Sequence, residues 1–387
     1  MSVARIDLTP DLRIGGGALA ELPDALARTG CKHPLIITDR VMDELGYLSR
    51  VKGLLEQAGL ASGIFLDTVP EPTVACVEAG LSVYRTDQFD GLVALGGGSA
   101  IDTAKAMSAR LATDMPMHAL KVPHIITHKG PPVFAIPTTA GTGSEVTRVT
   151  VITDGTTDEK MLCMGPGLMP AAAIVDYELT LTVPLRTTAD TGIDSLTHAI
   201  EAYVSRKANA FSDQQALGAM RLIAANIRTA FHNPDNHAAR EAMMAGATLA
   251  GMAFSNASVA LVHGMSRPIG AFFHVPHGLS NAMLLPAITR WSIPGAPARY
   301  AECARAMGVV SADLEDEAAC TKLVDELMAL NEELCVPAMS EYGLDEERYH
   351  ALLETMAEQA AASGSPANNP RPPSQADMVA LYREVWA

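Results

Sequence analysis

Short apolar runs alternate with helix-like segments along the first half of the chain. Residues 34–39, 62–66 and 91–95 are rich in Leu, Ile and Val and have the length of buried strands. Helices are predicted between and around these runs, at about residues 18–29, 48–58, 73–85 and 100–110. Continuous apolar strands separated by helices are typical of a parallel sheet covered on both faces. The pattern therefore predicts an α/β fold with a parallel sheet.

Helical periodicity replaces this alternation after about Leu179. Apolar residues recur at helical spacing over residues 213–228, 238–254 and 320–334. Pro184 is a plausible boundary because proline ends the element before it. A chain of 387 residues also exceeds the usual size of a single core. We predict an α/β domain at residues 1–181 and an all-helical domain at residues 182–387.

Composition and charge narrow the class of protein. Hydrophobic residues make up 48% of the chain and charged residues 19%, which is typical of a compact globular protein. The net charge of −16 argues against nucleic-acid binding, because polyanions are repelled. No apolar run has the length of a membrane span, and the N-terminus lacks a signal-peptide pattern. Six cysteines without a CxxC pair favour reduced thiols, so we expect a cytoplasmic protein.

A candidate metal site begins with Asp194 and His198 in a predicted helix. Residues four apart lie on the same helix face, so a carboxylate oxygen and an imidazole nitrogen can reach one point. His263 and His277 follow some seventy residues later, and Gly278 is expected to let the chain turn. One carboxylate and three imidazoles suit a first-row divalent ion and leave open positions for chemistry. The alternative is a hydrogen-bonded core histidine at 263 and a loop histidine at 277.

A glycine run predicts a phosphate-binding turn. Gly96, Gly97 and Gly98 stand between a predicted strand and a predicted helix that begins after Ser99. Backbone N–H groups in such a turn approach an oxyanion closely, and the helix N-terminus favours negative charge. The run is neither a GxGxxG motif nor a Walker loop, and an ordinary turn is the alternative.

Asp39 ends an early strand and is placed to accept hydrogen bonds from a ribose diol. Its charge would repel a 2′-phosphate, which favours NAD over NADP. A simple helix N-cap explains the same position equally well. A third segment, residues 134–147, runs from a strand into a loop with hydroxyls and glycines that can hydrogen-bond a nucleotide. The alternative is an ordinary polar connection between strands.

Together these motifs resemble the iron-containing (group III) alcohol dehydrogenase family. In chain order they are Gly96 to Ser99 with Asp102 and Lys105, Pro137 to Ser144, Asp194 with His198, and His263 with His277. The segment Asn369-Pro370-Arg371 matches a further family pattern. The similarity runs over nearly the whole chain. The sequence is therefore identified as a member of this family.

The resemblance implies the identities of the cofactors and of several contact residues. It implies one ion, Fe²⁺ or alternatively Zn²⁺, held by the four proposed ligands, and hydride transfer between a small alcohol and NAD. The alcohol is expected to be a simple alcohol, a diol or a hydroxy acid. Phe254 matches a position that lines the substrate pocket in relatives. The implied cofactor contacts are Asp39, Gly96, Gly97, Gly98, Ser99, Asp102, Thr138, Thr139, Thr142, Ser144 and Lys160.

One departure from the family pattern concerns the substrate. Many relatives carry a second histidine four residues after the third ligand, whereas this chain has Arg267. Arginine stays protonated near neutral pH, so it pairs an anion and does not relay protons. We expect a substrate bearing a carboxylate or a similar anion; the alternatives are a structural acid or the cofactor pyrophosphate. His274 is a candidate proton relay or a solvated loop residue. Glu71 replaces a common asparagine, which leaves contacts near the nicotinamide open.

Other functional classes remain beside the dehydrogenase. A hydroxyacid-oxoacid transhydrogenase would keep its nicotinamide bound, whereas a dehydrogenase releases NADH. A nucleotide-binding protein with a structural metal would have a closed four-coordinate site. A sugar-phosphate cyclase is disfavoured by the one-carboxylate, three-histidine set. We expect a homodimer or larger oligomer, with residues 3–8 pairing between subunits.

Overall fold

The computed structural model describes residues 3–157 and 159–386. The chain forms two compact units. Residues Asp7–Val183 make up the N-terminal unit. The C-terminal unit begins at Pro184, and residues 3–6 group with it.

The N-terminal unit contains a six-stranded parallel sheet, as the alternating pattern predicts. Its order is β1-β8-β5-β4-β2-β3, and β6 and β7 form a separate antiparallel pair. The strands are β1 (Asp11–Ile14), β2 (Pro34–Ile37), β3 (Gly63–Phe65), β4 (Gly91–Gly96), β5 (Val133–Pro137), β6 (Val149–Asp154), β7 (Glu159–Met164) and β8 (Ala172–Val175).

Helices cover both faces of this sheet because alternate strand residues point to opposite faces, and both faces are apolar. Leu35 and Ile37 of β2 belong to one buried apolar cluster, whereas Ile36 between them belongs to the other. The predicted helix at 18–29 is divided, because a 3₁₀ turn precedes α1. The helices of this unit are α1 (Leu22–Thr29), α2 (Arg40–Glu44), α3 (Tyr47–Gln57), α4 (Val74–Tyr84), α5 (Gly98–Ala112) and α6 (Met117–Leu120).

The order in which the chain adds strands to the sheet reverses between β2 and β4. The chain passes from β2 outward to β3 and then returns to the other side of β2 as β4. Ligands of open α/β sheets bind at the carboxyl ends of the strands beside such a reversal. Asp39 follows β2 and the glycine run Gly96–Gly98 follows β4, so the predicted cofactor segments lie at this position.

The C-terminal unit is helical, as the periodicity predicts, and its described residues from Leu185 onward contain no strand. α7 packs against α8, α9 and α11, and α10 packs against α11. The helices are α7 (Leu185–Val204), α8 (Ala210–His232), α9 (His237–Ala257), α10 (Leu261–Phe273), α11 (His277–Ser292), α12 (Pro297–Ala306), α13 (Asp316–Glu333), α14 (Glu346–Ala351), α15 (Leu353–Ala362) and α16 (Gln375–Glu384). No single helix in the described chain has the length and hydropathy of a membrane span. α9 and α10 reach that length and hydropathy only when taken together, and the chain bends by 102° between them.

Candidate active site

The centre of the candidate metal site lies on one face of α7. Asp194, His198 and Glu201 occupy positions i, i+4 and i+7 of this helix, and all three are buried. Burying these ionisable groups is unfavourable unless each finds a partner. The partners come from α10 and α11, which pack against the same helix.

Asp194, His263 and His277 converge on one point. Nε2 of His263 lies 3.3 Å from Oδ1 of Asp194, and Nε2 of His277 lies 3.9 Å from the same oxygen. One ligand atom from each residue lies within 4.8 Å of the others, a grouping suited to a metal ion. His277 is the first residue of α11 and not a loop residue.

Gly278 has a different role from the expected turn. It lies inside α11, and a Cβ at this position would stand 2.5 Å from the carbonyl oxygen of Asp190. Only glycine lets α11 approach the α7 backbone this closely. The close approach brings His277 to Asp194.

His198 lies beside this group and not within it. Its ring stacks between Phe254 and His263, with centroid distances of 4.3 Å to each. Nδ1 of His198 is 4.0 Å from Oδ1 of Asp194. This nitrogen is buried and has no hydrogen-bond partner among the described residues. An unsatisfied buried nitrogen is costly, and a metal ligand bond would satisfy it.

The charges of the site follow from burial and proximity. Burial opposes ionisation of Asp194, but the imidazoles of His198, His277 and His263 hold its pKa well below the usual range. Burial lowers the pKa of His198 to about 4, so this ring is neutral at pH 7, as a metal ligand must be. His263 differs: burial lowers its pKa, but hydrogen bonds to Asp194 and Glu201 raise it to about 9.

Glu201 orients His263, a role that the sequence analysis missed. Its Oε2 lies 2.7 Å from Nδ1 of His263 and also accepts the backbone N–H of Ala260. Its Oε1 accepts the backbone N–H of Val262. A carboxylate on the far nitrogen of a ligand histidine sets the ring orientation and strengthens metal binding. The signal was available, because Glu201 lies on the same face of α7 as Asp194 and His198.

Two residues on α10 and α11 were also missed. The hydroxyl of Ser266 lies 3.2 Å from Nδ1 of His277 and 2.9 Å from Oγ of Ser280. Asn281 lies one turn after His277, and its Nδ2 is 2.7 Å from Oδ1 of Asp194. Both contacts depend on how the two helices pack, so spacing along the chain could not reveal them.

The predicted substrate-side residues have distinct environments. Nη1 of Arg267 donates to the hydroxyl of Ser365 at 2.8 Å, and no carboxylate of a described residue forms an ion pair with it. Burial lowers the pKa of Arg267 to about 10, which still leaves it charged at pH 7. Phe254 lies against the ring of His198. His274 is an exposed residue with φ of 56° that ends α10, and none of the described contacts joins it to the metal-site residues.

The N-terminal unit brings the two predicted cofactor segments together. A Cβ at Gly98 would lie 2.8 Å from Cγ2 of Thr142, and one at Gly97 would lie 3.4 Å from Oγ1 of Thr139. The glycines therefore allow close contact between the turn after β4 and the loop after β5. The backbone N–H of buried Thr138 donates to the carbonyl of Gly96. Ser99 lies in the first turn of α5.

Asp39 is a helix N-cap, which was the alternative explanation for this position. Its Oδ1 accepts the backbone N–H of Met42 at 3.0 Å. Oδ2 lies 3.7 Å from where a Cβ of Gly96 would stand. The carboxylate therefore sits beside the glycine turn, and a capping role is compatible with a second role toward a ribose.

Asp102 and Ser144 participate in a hydrogen-bond network around Lys105. The Oγ of Ser144 donates to Oδ1 of Asp102 at 2.6 Å, and Oδ2 of Asp102 accepts the backbone N–H of Val151. Fully buried Lys105 donates to Ser144, Thr147 and Val149. Burial lowers the pKa of Lys105 to about 8. These contacts hold the loop after β5 against α5, so any contact of Asp102 with a cofactor is additional to a structural role.

Lys160 forms an ion pair with Glu71. Its Nζ lies 2.6 Å from Oε1 of Glu71, and the lysine side chain is only 9% exposed. Glu71 has φ of 51°, a left-handed conformation that asparagine adopts more easily than glutamate. The glutamate that departs from the family pattern is thus the ionic partner of Lys160.

The residues fit a divalent metal ion. They offer a carboxylate held ionised, neutral imidazole, a carboxylate that orients one ring, and an unsatisfied buried nitrogen on His198. This combination of oxygen and nitrogen donors suits Fe²⁺ or Zn²⁺.

Comparison with known proteins places the chain among alcohol dehydrogenases over its whole length. Residues 9–177 match the family described as iron-containing alcohol dehydrogenase, and residues 188–386 match the Fe-containing alcohol dehydrogenase family, C-terminal. Long-chain-alcohol dehydrogenase 1 of Geobacillus thermodenitrificans (strain NG80-2) is 38% identical over 100% of this chain and 98% of its own.

Two solved structures share the fold. The crystal structure of a 1,3-propanediol oxidoreductase superposes with a TM-score of 0.95 at 32% identity, covering 99% of this chain and 100% of that one. Sulfoacetaldehyde reductase from Bifidobacterium kashiwanohense, in complex with NAD⁺, gives a TM-score of 0.89 at 28% identity and covers 100% of both chains.

Glu201→Gln tests whether the orienting carboxylate supports the metal site. The substitution removes the charge that holds Nδ1 of His263, and loss of such a partner lowers metal affinity by about 10–100-fold. We expect this loss in a competition titration of Zn²⁺ against a chromophoric chelator. Glu326→Gln, which removes an ion pair with Arg228 in the same unit, is the matched control and should leave affinity unchanged. Equal affinities for all three proteins would contradict the role of Glu201.

Proposed function

The chain belongs to the iron-containing alcohol dehydrogenase family, and from this premise we propose that it transfers a hydride between a small alcohol and NAD at a metal site in its C-terminal unit. The observation that carries the proposal is the convergence of Asp194, His263 and His277 within 4.8 Å. His198, with its unpartnered buried Nδ1, is proposed as the fourth ligand. The relatives are named as dehydrogenases and reductases, which does not favour a transhydrogenase.

The metal, when bound, supplies a Lewis acid for the alcohol or carbonyl oxygen, and NAD supplies the hydride acceptor. The chain's own residues position these groups. Glu201 keeps Nδ1 of His263 engaged, so that Nε2 faces Asp194. Phe254 covers one face of His198 and excludes water from that ring. The buried carboxylate of Asp194 provides the negative charge that attracts a cation.

NAD is the proposed cofactor because of the carboxylate of Asp39 beside the glycine turn. The turn after β4 offers backbone N–H groups at the N-terminus of α5, where a pyrophosphate is favoured. We propose Gly96, Gly97, Gly98, Ser99, Thr138, Thr139 and Thr142 as its contacts, with Lys160, Asp102 and Ser144 in support. The N-terminal unit is then the cofactor domain and the C-terminal unit the catalytic domain.

The proposed substrate carries an anionic group as well as the reacting oxygen. Arg267 lies one helical turn after His263 and is charged; Glu201 interacts with this charge, but no carboxylate of a described residue forms an ion pair with the guanidinium. A guanidinium in that state favours a carboxylate or sulfonate. The name of the sulfoacetaldehyde reductase indicates that one relative acts on an anionic aldehyde. We propose a short hydroxy acid or its semialdehyde as the substrate class.

The proposed setting is the cytoplasm, as a homodimer or larger assembly. All six cysteines are free thiols, which is compatible with a reducing compartment. β1 is an edge strand of the sheet, and exposed Val3 and Leu8 lie just before it. Exposed apolar side chains in the segment that precedes an open edge strand are suited to pairing with another copy.

Removal of the metal is expected to abolish activity. Chelation should lower NADH formation at least about 100-fold, because the cation stabilises developing charge by several kcal/mol. Anaerobic reloading with Fe²⁺ or Zn²⁺ should restore it. Asp194→Asn should not be rescued by reloading. Activity that persists without bound metal would contradict the proposal, and turnover without release of free NADH would indicate a transhydrogenase.

Asp39→Asn is expected to relax the preference for NAD over NADP. Asparagine caps a helix as well as aspartate does but removes the charge that repels a 2′-phosphate. We expect kcat/KM with NADP to rise at least about tenfold, equivalent to ~1.4 kcal/mol. Asp43→Asn, in the helix that Asp39 caps, is the control and should change kcat/KM with neither NAD nor NADP. An unchanged ratio for Asp39→Asn would exclude Asp39 from cofactor selection.

Arg267→Gln should distinguish anionic from neutral substrates. Loss of a charge-assisted hydrogen bond to substrate should lower kcat/KM for short hydroxy acids by roughly 10–100-fold. Neutral diols of similar size should change by about threefold or less. Arg206→Gln is the control, because Arg206 donates to the carbonyl of Ala367, two residues after the partner of Arg267. It should leave kcat/KM for both substrate classes unchanged. Equal losses on both substrate classes would contradict an anion-binding role.

A further inference from the structure

Asn281 occupies the point on which the proposed metal ligands converge. It is fully buried on α11, one turn after His277. Its Nδ2 lies 2.7 Å from Oδ1 of Asp194. The same nitrogen lies 3.2 Å from Nε2 of His263 and 3.2 Å from Nε2 of His277. These three atoms belong to the residues that group as a candidate metal site.

The orientation of the Asn281 amide is set by these neighbours. An amide nitrogen has two hydrogens: one is donated to the carboxylate of Asp194, and the other lies between the two imidazole nitrogens. Oδ1 of Asn281 is buried and has no partner among the described residues. The opposite orientation would place Oδ1 against the carboxylate oxygen, which is repulsive. Leaving Oδ1 unsatisfied is therefore the cost of engaging the ligand atoms with Nδ2.

A cation and the Asn281 amide need the same lone pairs. Imidazoles bind a metal in their neutral form, and Nε2 of His263 and Nε2 of His277 then offer the electron pairs that face Nδ2. A neutral imidazole nitrogen has a single electron pair, which cannot accept a hydrogen bond and bind a cation at the same time. Binding of a cation through these nitrogens must therefore displace the amide hydrogen that lies between them.

We propose that Asn281 is a positioning residue that holds the ligand atoms together through its amide and competes with the cation for them. The inference rests on the proposed function, because it takes Asp194, His263 and His277 as the metal ligands. Its consequence is a site that stays assembled when metal leaves, with an affinity lowered by the hydrogen bonds that must break. The bound ion is then easier to exchange than the ligand set alone would allow.

Zn²⁺ binding to variants of the full-length protein tests this competition. We expect Asn281→Ala to bind Zn²⁺ about tenfold more tightly than the parent protein, measured against a chromophoric chelator. Asn331→Ala is the matched control, because Asn331 donates to the backbone of α11 at Ala282, and none of the described hydrogen bonds joins it to a proposed ligand. Its Zn²⁺ affinity should stay within about twofold of the parent value.

Asn281→Ser provides a second variant if the alanine protein does not fold. Its hydroxyl is too short to reach all three ligand atoms but leaves the pocket polar, so the same gain in affinity is expected. Thermal unfolding gives a second readout: metal-free Asn281→Ser should melt below the parent, and Zn²⁺ should raise its Tm by more. An equal rise in both proteins would overturn the inference.

The outcomes separate this inference from the proposed function. Unchanged Zn²⁺ affinity in both Asn281 variants would overturn the competition. Weaker affinity would also overturn it, and would indicate that the amide turns its oxygen toward the cation as a ligand. If the parent protein itself binds no Zn²⁺ at one ion per chain, the proposed function fails first.

Discussion

The burial of two carboxylates on one face of α7 is the constraint on which the C-terminal unit depends. Asp194 and Glu201 are almost fully buried, and a buried charge is tolerated only when it is paired or hydrogen-bonded. Glu201 meets this need with two backbone N–H groups at the start of α10 and with His263. Asp194 meets it with the imidazoles and with Asn281. The interactions that satisfy the charges are therefore also those that assemble the site.

The N-terminal unit meets a similar constraint with a buried cation. Lys105 lies inside α5 and donates to carbonyl and hydroxyl oxygens from the loop that follows β5 and from the first residue of β6. That loop includes Thr142, whose methyl group packs against Gly98. The same lysine that organises the loop therefore keeps it against the glycine turn. The two segments proposed to bind the cofactor, which are far apart in the chain, are thus positioned by one side chain that need not touch a ligand.

Some features could be predicted from spacing because they depend on local geometry. The sequence placed Asp194 and His198 on one helix face, since residues four apart share a face. The parallel sheet followed from continuous apolar runs, because strands buried on both faces leave no polar positions. Glu201 could have been found by the same argument. Gly278 could not be interpreted correctly, because the carbonyl that excludes a Cβ belongs to a helix eighty-odd residues earlier in the chain.

The sequence by itself determined the fold class, the helix face that carries the first proposed ligands and the family to which the chain belongs. These features arise from short-range periodicity and from motifs that are contiguous in the chain. The tertiary structure decided which nitrogen of His263 faces Asp194, that Ser266 lies beside His277, and that Asn281 points at the ligand atoms. It also decided that Asp39 caps a helix and that Glu71 pairs with Lys160. The physical reason is that hydrogen bonds depend on ångström-scale distances between elements, which helix packing sets and one-dimensional spacing does not encode.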